Sequence, residues 1–264
     1  MPFAGLPNEP FHYIARDFDD FFRVQFNEQD TQKTDDYFIL TTGLPHGISN
    51  LINTRKGCDP SLVNKLVRPR SIVEFPTAVA ILEPPSDEVD SLMLDLGFLH
   101  RETIHAMAAD LDDLPILEEA TEFELREVGP EDHSMWVDVM SEGYELPREF
   151  VERIGPAANG IVESPGNVIF RFFLAFDDGI PSSSSTHMIT DGLLAIYDVS
   201  TKPSQRGKGL GRFVTLAPLL KLRAEGHKTA ILQASEMGAP IYEKLGFQST
   251  GTFPLYFNEP NGDC

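Results

Sequence analysis

The sequence predicts an α/β protein whose C-terminal half alternates strands and helices. Three observations support this prediction: a glycine-rich turn at Gln205–Gly211, an apolar run that ends near Thr201 before it, and apolar residues at near-helical spacing after it. The helix is predicted over residues 211–225. Gly226 would be its C-cap, and Pro218 would bend it or weaken one turn. A strand, a turn and a helix therefore follow one another in this region.

The residues after this helix continue the alternation. Thr229–Ala234 is a short apolar run that predicts a buried strand. Residues 238–247 predict a short helix, which Pro240 can begin and Gly246 can end. The predicted order is thus strand, glycine turn, helix, strand and short helix.

The residues before the turn predict the rest of the sheet. Glu122–Val128 alternates as an edge strand does, and residues 131–142 follow as a helix with Trp136 on its apolar face. A hairpin is expected next, with a polar connection at Gly179–Ser185. The remaining predicted strands are residues 167–176, the segment around residues 187–189, and Leu193–Thr201, which leads into the glycine turn.

The glycine turn has the chemistry of an anion site. Glycines at alternate positions let the main chain approach a ligand and leave N–H groups unshielded. Together with the dipole of the following helix and the cations Arg206 and Lys208, these N–H groups predict a site for a phosphate or pyrophosphate. A P-loop is excluded because Lys208 is followed by Gly209 rather than by Ser or Thr, and the spacing of the dinucleotide fingerprint is also absent. A solvent-exposed turn without a ligand is the alternative.

Two motifs resemble one known family. The string Arg-x-x-Gly-x-Gly at Arg206, Gly209 and Gly211 resembles the pyrophosphate loop of the GNAT superfamily of N-acetyltransferases, which bind acetyl-CoA. Residues 238–247 resemble the second signature of the superfamily, Tyr-Glu-Lys-Leu-Gly-Phe. The resemblance implies an α/β (α+β) GNAT fold, with a mixed, mostly antiparallel central sheet flanked by helices. It also implies transfer of acetyl from the co-substrate acetyl-CoA to a primary amine by direct attack, in residues 120–258.

The resemblance also assigns roles to individual residues. Backbone groups of the strand before the turn would pair with the pantetheine arm, and amides of the turn would bind the pyrophosphate. Tyr242 matches the general acid, since a tyrosine with a pKa near 10 is protonated at pH 7. A packed aromatic at helical spacing from Leu245 is the alternative for Tyr242. The implied cofactor-binding residues are Val199, Ser200, Thr201, Arg206, Gly207, Lys208, Gly209, Leu210, Gly211 and Ser235, the last of which could equally be structural.

The general base and the chemical outcome stay open at this point. Asp198 is the acidic residue on the strand before the turn, but strand alternation can direct it away from the acetyl group. Asp191, Glu142 and Tyr144 are weaker candidates, and a water chain would also suffice. The competing hypotheses are a non-catalytic acyl-CoA-binding sensor or interaction module, and an enzyme that uses a longer acyl chain.

Composition restricts the partners. The net charge of −20 repels nucleic acids and anionic lipids, so neither a nucleic acid nor a membrane is an expected partner. A small, cationic amine substrate fits this sign, although the acidity could simply keep the protein soluble. No apolar run approaches the roughly 18 residues of a membrane span, and no secretory signal is apparent. A cytoplasmic protein is therefore expected, and a homodimer is an open alternative.

Cysteine and histidine usage argues against a metal site. The two cysteines, Cys58 and Cys264, belong to no ligand-spaced cluster, and the seven histidines are scattered. A reducing compartment is expected, because no disulfide framework is indicated.

The N-terminal half predicts a smaller domain, residues 1–115, joined by a polar stretch near residues 111–119 to the acetyltransferase domain, residues 120–264. Ser91–Phe98 resembles a second copy of the short helix that ends in Gly-Phe, and Leu99–Leu111 follows it as a strand. No Arg-x-x-Gly-x-Gly string precedes residue 110. A degenerate GNAT-like half is expected, with an unrelated α+β cap as the alternative. Two further predictions are an extended Ser71–Leu82, and a helix or an aromatic edge around Phe18, Phe21 and Phe22.

Overall fold

The structure is a computed structural model that describes residues 3–26, 30–55, 59–72, 75–117, 122–154 and 167–258. The described residues form two compact units that alternate along the chain. The N-terminal unit contains Glu9–Ala106, Ala234–Ala239 and residues 250–258, and the C-terminal unit contains residues 3–8, Met107–Gln233 and Pro240–Ser249. Cys58, Cys264 and residues 118–119 of the predicted linker lie outside the described residues.

Helices and strands account for most of the described residues. The helices are α1 (Phe11–Gln25), α2 (Pro60–Val67), α3 (Asp87–Asp95), α4 (His133–Tyr144), α5 (Arg148–Glu152), α6 (Leu210–Ala224) and α7 (Ala239–Glu243). The strands are β1 (Thr31–Lys33), β2 (Tyr37–Leu40), β3 (Leu51–Thr54), β4 (Ala78–Ile81), β5 (Leu99–Asp110), β6 (Glu124–Val128), β7 (Val168–Asp177), β8 (Ile180–Thr190), β9 (Leu193–Thr201), β10 (Thr229–Ala234) and β11 (Gln248–Phe257).

In the N-terminal unit, the strand order is β1-β2-β3-β4-β11-β5. Strands β3 and β4 run parallel, with Leu51 opposite Ala78, and the β1–β2, β2–β3 and β4–β11 pairs are antiparallel. Every residue of β3 and β4 is buried, as expected for central parallel strands. Helices α2 and α3 supply Val63, Val67 and Met93 to the core on this sheet.

The end of α3 confirms the predicted helix that stops at Gly-Phe. Gly97 has φ +81°, and the amide of Phe98 donates to the carbonyl of Met93 at 2.9 Å. This hydrogen bond is typical of a Schellman C-cap, which needs a left-handed residue after the helix. The predicted strand that follows is β5. Around Phe18, Phe21 and Phe22 the chain forms helix α1. The extended prediction for Ser71–Leu82 was too long: residues 73–74 lie outside the described residues, and among the others Ala78–Ile81 alone form a strand.

In the C-terminal unit, the strand order is β5-β10-β9-β8-β7-β6. Strands β9 and β10 are parallel, and the β6–β7, β7–β8 and β8–β9 pairs are antiparallel. The sheet is therefore mixed and mostly antiparallel, as the family resemblance implied. Helix α6 begins within one residue of its predicted start and runs through Pro218 to Ala224.

The predicted polar connection at Ser182–Ser185 is wrong, because these residues are the first half of strand β8. All four serines are fully buried. Their hydroxyls donate to main-chain carbonyls, including that of Asp198 from Ser184 and that of Val214 from Ser185, both at 2.9 Å. Because these bonds satisfy the hydroxyls, the serines can lie in a core strand without a large desolvation cost.

Helices α4 and α6 cover opposite faces of this sheet. Adjacent strand residues point to opposite faces. On β8, Ser185 donates to α6, whereas Ser184 contacts Ser200, whose hydroxyl donates to the Val139 carbonyl of α4 at 3.3 Å. Four residues of α4 are buried: Trp136, Val137, Val139 and Met140.

Candidate active site

The candidate site begins where strands β9 and β10 stop pairing. These parallel strands pair from Ala230 opposite Leu194 to Leu232 opposite Ile196. Strand β9 continues beyond this last pair to Thr201. Ligands of α/β proteins commonly bind where neighbouring strands separate at their carboxyl ends. The end of β9 therefore presents main chain that is not used in the β9–β10 ladder.

A β-bulge interrupts β9 within this stretch. Ser184 lies opposite Ser200, whereas Thr186 lies opposite Tyr197, so β9 has one residue more than β8 between these pairs. Asp198 lies in the bulge with φ +54°, an uncommon conformation for a residue other than glycine. A bulge redirects side chains. The simple strand alternation used to predict the direction of Asp198 therefore does not apply at this residue.

The carboxyl group of Asp198 is buried and incompletely hydrogen-bonded. Its Oδ2 atom has no hydrogen-bond partner among the described residues. Burial raises the pKa of Asp198 to about 7, and the nearby Thr186 hydroxyl, which falls short of hydrogen-bond geometry, lowers it only partly. A carboxyl that titrates near neutral pH, beside an open strand, has the properties of a general base.

The glycine turn has the backbone conformation that its glycines predict. Gly207 has φ +82° and Gly209 has φ +95°, where other residues would be strained. A Cβ atom at either position would meet no atom within 4 Å, so the space beside the turn is open. Gly209 is the N-cap of α6, whose first amides have no acceptor within the helix. These amides can accommodate an anion at the positive end of the helix dipole.

The two cations of the turn bind other groups of the C-terminal unit. Arg206 donates from Nε to the Thr201 carbonyl at 3.2 Å and from Nη2 to the Gly143 carbonyl at 2.8 Å. Lys208 Nζ contacts Asp177 and the Gln205 side chain, each at 2.6 Å. Arg206 thus holds the turn against α4 and β9 through these hydrogen bonds. Lys208 uses two of its three ammonium donors in these contacts.

The carbonyls of the predicted pantetheine strand already accept side-chain hydrogen bonds. The Tyr144 hydroxyl donates to the Val199 carbonyl at 3.0 Å, and Ser183 donates to the Ser200 carbonyl. The Thr201 carbonyl accepts the Arg206 guanidinium described above. A carbonyl oxygen has two lone pairs, so a single side-chain hydrogen bond does not by itself prevent a carbonyl from accepting a second donor.

The last two residues of the turn contribute main chain to the candidate site. Leu210 is 1% exposed and packs with Phe213, Val214 and Ala175. A Cβ atom on Gly211 would lie 3.6 Å from the Thr201 hydroxyl. Their amides, rather than side chains, are therefore the groups with which Leu210 and Gly211 can bind a ligand.

Tyr242 lies on α7, with its side chain half-buried against the start of α6. Burial raises the pKa of Tyr242 to about 12, and the neighbouring Thr215 hydroxyl lowers it in part. Thr215 itself donates to the Gly211 carbonyl at 2.9 Å, so the Tyr242 hydroxyl lies near the first turn of α6. The ring also packs edge-on against Phe247, with centroids 5.9 Å apart. With this pKa, Tyr242 is protonated at neutral pH and can act as a proton donor.

The other sequence-derived candidates have local partners. Asp191 lies in the β8–β9 turn, at the opposite end of β9 from Thr201, and accepts a bond from Asn167 at 3.2 Å. Glu142 pairs with Lys202 at 2.9 Å. Ser235 belongs to the N-terminal unit, where its hydroxyl accepts the Gly238 amide at 3.1 Å. The role of Ser235 in cofactor binding stays a prediction.

The described residues contain neither a metal-binding cluster nor a membrane-spanning helix. No group of three or more His, Cys, Asp or Glu side chains in the described ranges is arranged to hold a metal ion. None of the helices described here combines the length and the apolar character needed to cross a membrane.

Comparisons with known proteins point to one fold. No family model matches the chain. A mycothiol acetyltransferase from Mycobacteroides abscessus is 27% identical over 185 residues, which cover 63% of this chain and 59% of that protein. The alignment therefore spans less than two thirds of this relative's length.

Solved structures match over nearly the whole chain. A GCN5-related N-acetyltransferase from Kribbella flavida has a TM-score of 0.66 at 17% identity, with 97% of this chain and 98% of that chain covered. A tandem GNAT protein from the clavulanic acid biosynthesis pathway has a TM-score of 0.56 at 14% identity, with 98% and 91% covered. The chain has the fold of the GNAT N-acetyltransferases.

Proposed function

We propose that this protein is an acetyl-CoA-dependent N-acetyltransferase that acts on the primary amine of a small, cationic acceptor. The observation on which the proposal depends is that β9 extends beyond its pairing with β10 and leads into a turn whose glycine-rich main chain opens to solvent. The similarity to a mycothiol acetyltransferase supports acetyl transfer. The net charge of −20 favours the approach of a cationic amine.

In this proposal, the C-terminal unit holds acetyl-CoA by main-chain groups. Amides of residues 206–211 bind the diphosphate, and Val199–Thr201 pair with the pantetheine arm. The open space beside Gly207 and Gly209 supports this assignment, because a phosphate needs direct access to the amides. A side chain at either glycine would be strained and would also occupy that space.

Asp198 is our proposed general base. An amine in water at neutral pH is largely protonated, and only its neutral form can attack a thioester. A carboxylate with a pKa of about 7 can accept the amine proton and is half ionised at neutral pH. The nitrogen then bonds to the acyl carbon, and the carbonyl electrons move onto its oxygen. Collapse of this tetrahedral species breaks the carbon–sulfur bond and releases the CoA thiolate, and the surplus proton on the nitrogen restores the proton of the group that protonates the thiolate.

Tyr242 is our proposed general acid for the departing sulfur. Its pKa of about 12 keeps the hydroxyl protonated, so that it can donate to the thiolate as this group leaves. Its contact with Thr215 keeps the hydroxyl near the turn that is proposed to hold the diphosphate end of the same co-substrate.

The test is acetyl-CoA-dependent thiol release against polyamines, aminoglycosides, amino acids and basic peptides. For a responding acceptor, Tyr242→Phe should slow transfer by about tenfold or more, with CoA affinity nearly unchanged by calorimetry. Tyr13→Phe, an exposed tyrosine of the N-terminal unit, is the matched control and should keep the parent rate. An unchanged rate in Tyr242→Phe would remove the assigned role.

Calorimetry with CoA separates the proposal from its main alternative. Binding of CoA without turnover on any amine of the panel would favour the acyl-CoA-binding sensor or interaction module. A panel of longer acyl-CoA thioesters tests the choice of acyl donor. Absence of CoA binding would overturn both the enzyme and the sensor.

A further inference from the structure

The N-terminal unit contains a cavity of about 330 Å³, the lower end of the range for small-molecule sites. It is lined by His12, Arg16, Asp35, Arg55, Leu82 and Glu83. Arg55 directly follows β3, and Leu82 directly follows β4. The cavity therefore lies at the carboxyl ends of two adjacent parallel strands, which is a preferred position for ligand sites in α/β folds.

Arg55 is held at this cavity by two carboxylates, of which one is fully buried and one is half exposed. Its Nε pairs with Asp19, which is fully buried, and its Nη2 pairs with Asp20. Asp19 also accepts bonds from Arg23 at 2.6 Å and from the Asn53 amide at 3.1 Å. The Nη1 group of Arg55 has no partner among the residues that the structure describes. A fixed guanidinium with a remaining donor is well suited to bind a carboxylate.

Charged groups of both signs surround Arg55. Arg16 adds a second cation, on the helix that also carries Asp20. Asp35 and Glu83 supply two carboxylates, and neither makes a hydrogen bond or ion pair within the described ranges. Leu82 adds an apolar surface between these groups. A ligand that satisfies this lining has to carry one negative and one positive charge.

A CoA diphosphate does not suit the neighbouring helix. The Asp59 carboxylate caps α2 by accepting the amides of Ser61 at 2.9 Å and Leu62 at 3.3 Å. These are the amides at which an anion would bind, and Asp59 already supplies a negative charge there. The cavity therefore differs in chemistry from the glycine turn of the C-terminal unit.

We propose that this cavity binds a small zwitterion that carries both a carboxylate and an ammonium group, of the class of a free amino acid. Arg16 and Arg55 bind the carboxylate, while Asp35 and Glu83 bind the ammonium. The proposal is independent of the acetyltransferase assignment, because it uses none of its residues.

Calorimetry on the full chain at pH 7 tests the proposal with three matched probes: L-glutamine, N-acetyl-L-glutamine and L-glutaminamide. Only glutamine carries both charges at this pH. Glutamine should bind about tenfold or more tightly than either derivative. Equal affinity for all three probes, or no heat from glutamine at millimolar concentration, would overturn the proposal.

Two variants test which residues bind the carboxylate of the ligand and which bind its ammonium group. Glu83→Gln should narrow the preference for glutamine over its N-acetyl derivative, whereas Arg16→Gln should narrow the preference over the amide. Glu88→Gln and Arg101→Gln, two exposed positions outside the cavity lining, are the matched controls and should keep both preferences. Melting temperatures confirm that each variant is folded. If Glu83→Gln and Arg16→Gln weaken all three probes equally, the assigned charge recognition is wrong.

Discussion

Asp198 belongs to strand β9 but departs from the regular backbone conformation of that strand. A strand residue in the left-handed region stores conformational strain, and such residues cluster at functional sites. Here the strain accompanies a buried carboxyl oxygen that lacks a hydrogen-bond partner within the described part of the chain. Both features destabilise the ionised folded state. Their presence at the open end of β9 supports a functional reason for keeping an acid there.

The stability of Asp198→Asn should depend on pH. The carboxyl titrates near pH 3.8 when unfolded and near pH 7 when folded, so the native state holds more protons between these values. Its contribution to the free energy of unfolding is therefore present at low pH and declines as pH rises through about 7. We expect Asp198→Asn to be more stable than the parent at pH 8, with a smaller gain at pH 5, by urea unfolding.

Asp178→Asn is the matched control for this prediction. Asp178 is also left-handed, with φ +50°, but it lies exposed in a hairpin turn. Asp178→Asn should raise the free energy of unfolding, because asparagine tolerates the left-handed conformation, and this gain should not depend on pH. Under the proposed mechanism, the transfer rate of the parent protein falls on acidification below about pH 7 because Asp198 becomes protonated. This fall should be absent in Asp198→Asn. Equal pH dependence in both variants would contradict the burial argument.

Gly143 controls the distance between α4 and the end of β9. A Cβ atom there would lie 2.6 Å from the Ser200 hydroxyl and 2.7 Å from the Ser200 Cβ. Alanine favours a helix, but overpacking at this contact should dominate. Gly143→Ala should therefore lower the free energy of unfolding by about 1–3 kcal/mol in denaturant titrations.

A double-mutant cycle with Ser200→Gly identifies the cause of this loss. Ser200→Gly removes the two nearest atoms that the new methyl group would meet and leaves the Thr201 amide nitrogen at 3.1 Å, so it should reduce the cost of Gly143→Ala. Additive effects of the two substitutions would show that the contact is not responsible.

At the scale of elements, two hairpins of the C-terminal unit are set by Asp-Gly dipeptides. Asp178-Gly179 joins β7 to β8, and Asp191-Gly192 joins β8 to β9, each with positive φ at both residues. This pair of conformations is that of the two-residue type I′ turn, for which Asp-Gly is a strong signal. The serines of Ser182–Ser185 indicated a loop, because serine favours loops, although the Asp-Gly dipeptide before them indicated a hairpin. The dipeptide would have predicted a strand from residue 180.

The elements with both a start and a stop signal were the predictable ones. Strand β10 has its predicted bounds and α6 lies within one residue of its own, because glycine caps and apolar spacing agree. Helix α7 begins one residue after its predicted start but ends at Glu243, four residues before the predicted end at residue 247. By contrast, the bulge at Asp198 depends on pairing with β8, which no local pattern specifies. The direction of the Asp198 side chain, on which its proposed role as general base depends, was therefore beyond prediction from the strand sequence alone.

An ion-pair network connects three elements of the C-terminal unit. Arg171 of β7 binds Glu127 of β6 at 2.7 Å and also Glu225, which follows α6. The hydrogen bond from Arg171 lowers the pKa of Glu127 to about 2 despite partial burial. A carboxylate with a depressed pKa stabilises the fold above its unfolded pKa, near 4.5, and loses this contribution as pH falls toward 2.

Arg171→Gln should therefore destabilise the protein more at pH 7 than at pH 3. The measurement is urea unfolding at both values, with the parent chain alongside. Arg126→Gln removes an arginine paired with the more exposed Glu124 and should show a smaller pH-dependent difference. A pH-independent effect of Arg171→Gln would assign its role to packing instead.

At the scale of the molecule, the two units repeat one plan. Each has antiparallel strands followed by one parallel pair, β3–β4 or β9–β10. The helix after each pair ends alike: Phe98 donates to the Met93 carbonyl at 2.9 Å, and Phe247 to the Tyr242 carbonyl at 3.0 Å. We infer that the N-terminal unit is a degenerate GNAT-like copy, in which Met93 stands at the position of Tyr242.

The composition of each unit could not be predicted from the sequence. A boundary between residues 115 and 120 follows from local polarity, and it stays a prediction as a domain boundary. In the structure, β11 pairs with β4 in the N-terminal unit, although more than 160 residues separate them along the chain. The local sequence of β11 carries no information about which strand it pairs with.

This arrangement predicts that residues 9–106 do not fold alone. Without β11, strand β4 loses the partner that places Leu255 opposite Ala80, and the buried Tyr256 is removed from the core of the unit. Burial of an aromatic side chain of this size stabilises a fold by about 3–5 kcal/mol, which is comparable with the whole stability of a small unit.

We expect the fragment to lack cooperative thermal unfolding by circular dichroism. The same fragment with residues 248–258 appended through a flexible linker should recover a cooperative transition, whereas one with Leu255, Tyr256 and Phe257 changed to serine should not. Cooperative unfolding of residues 9–106 alone would show that β11 is dispensable to this unit.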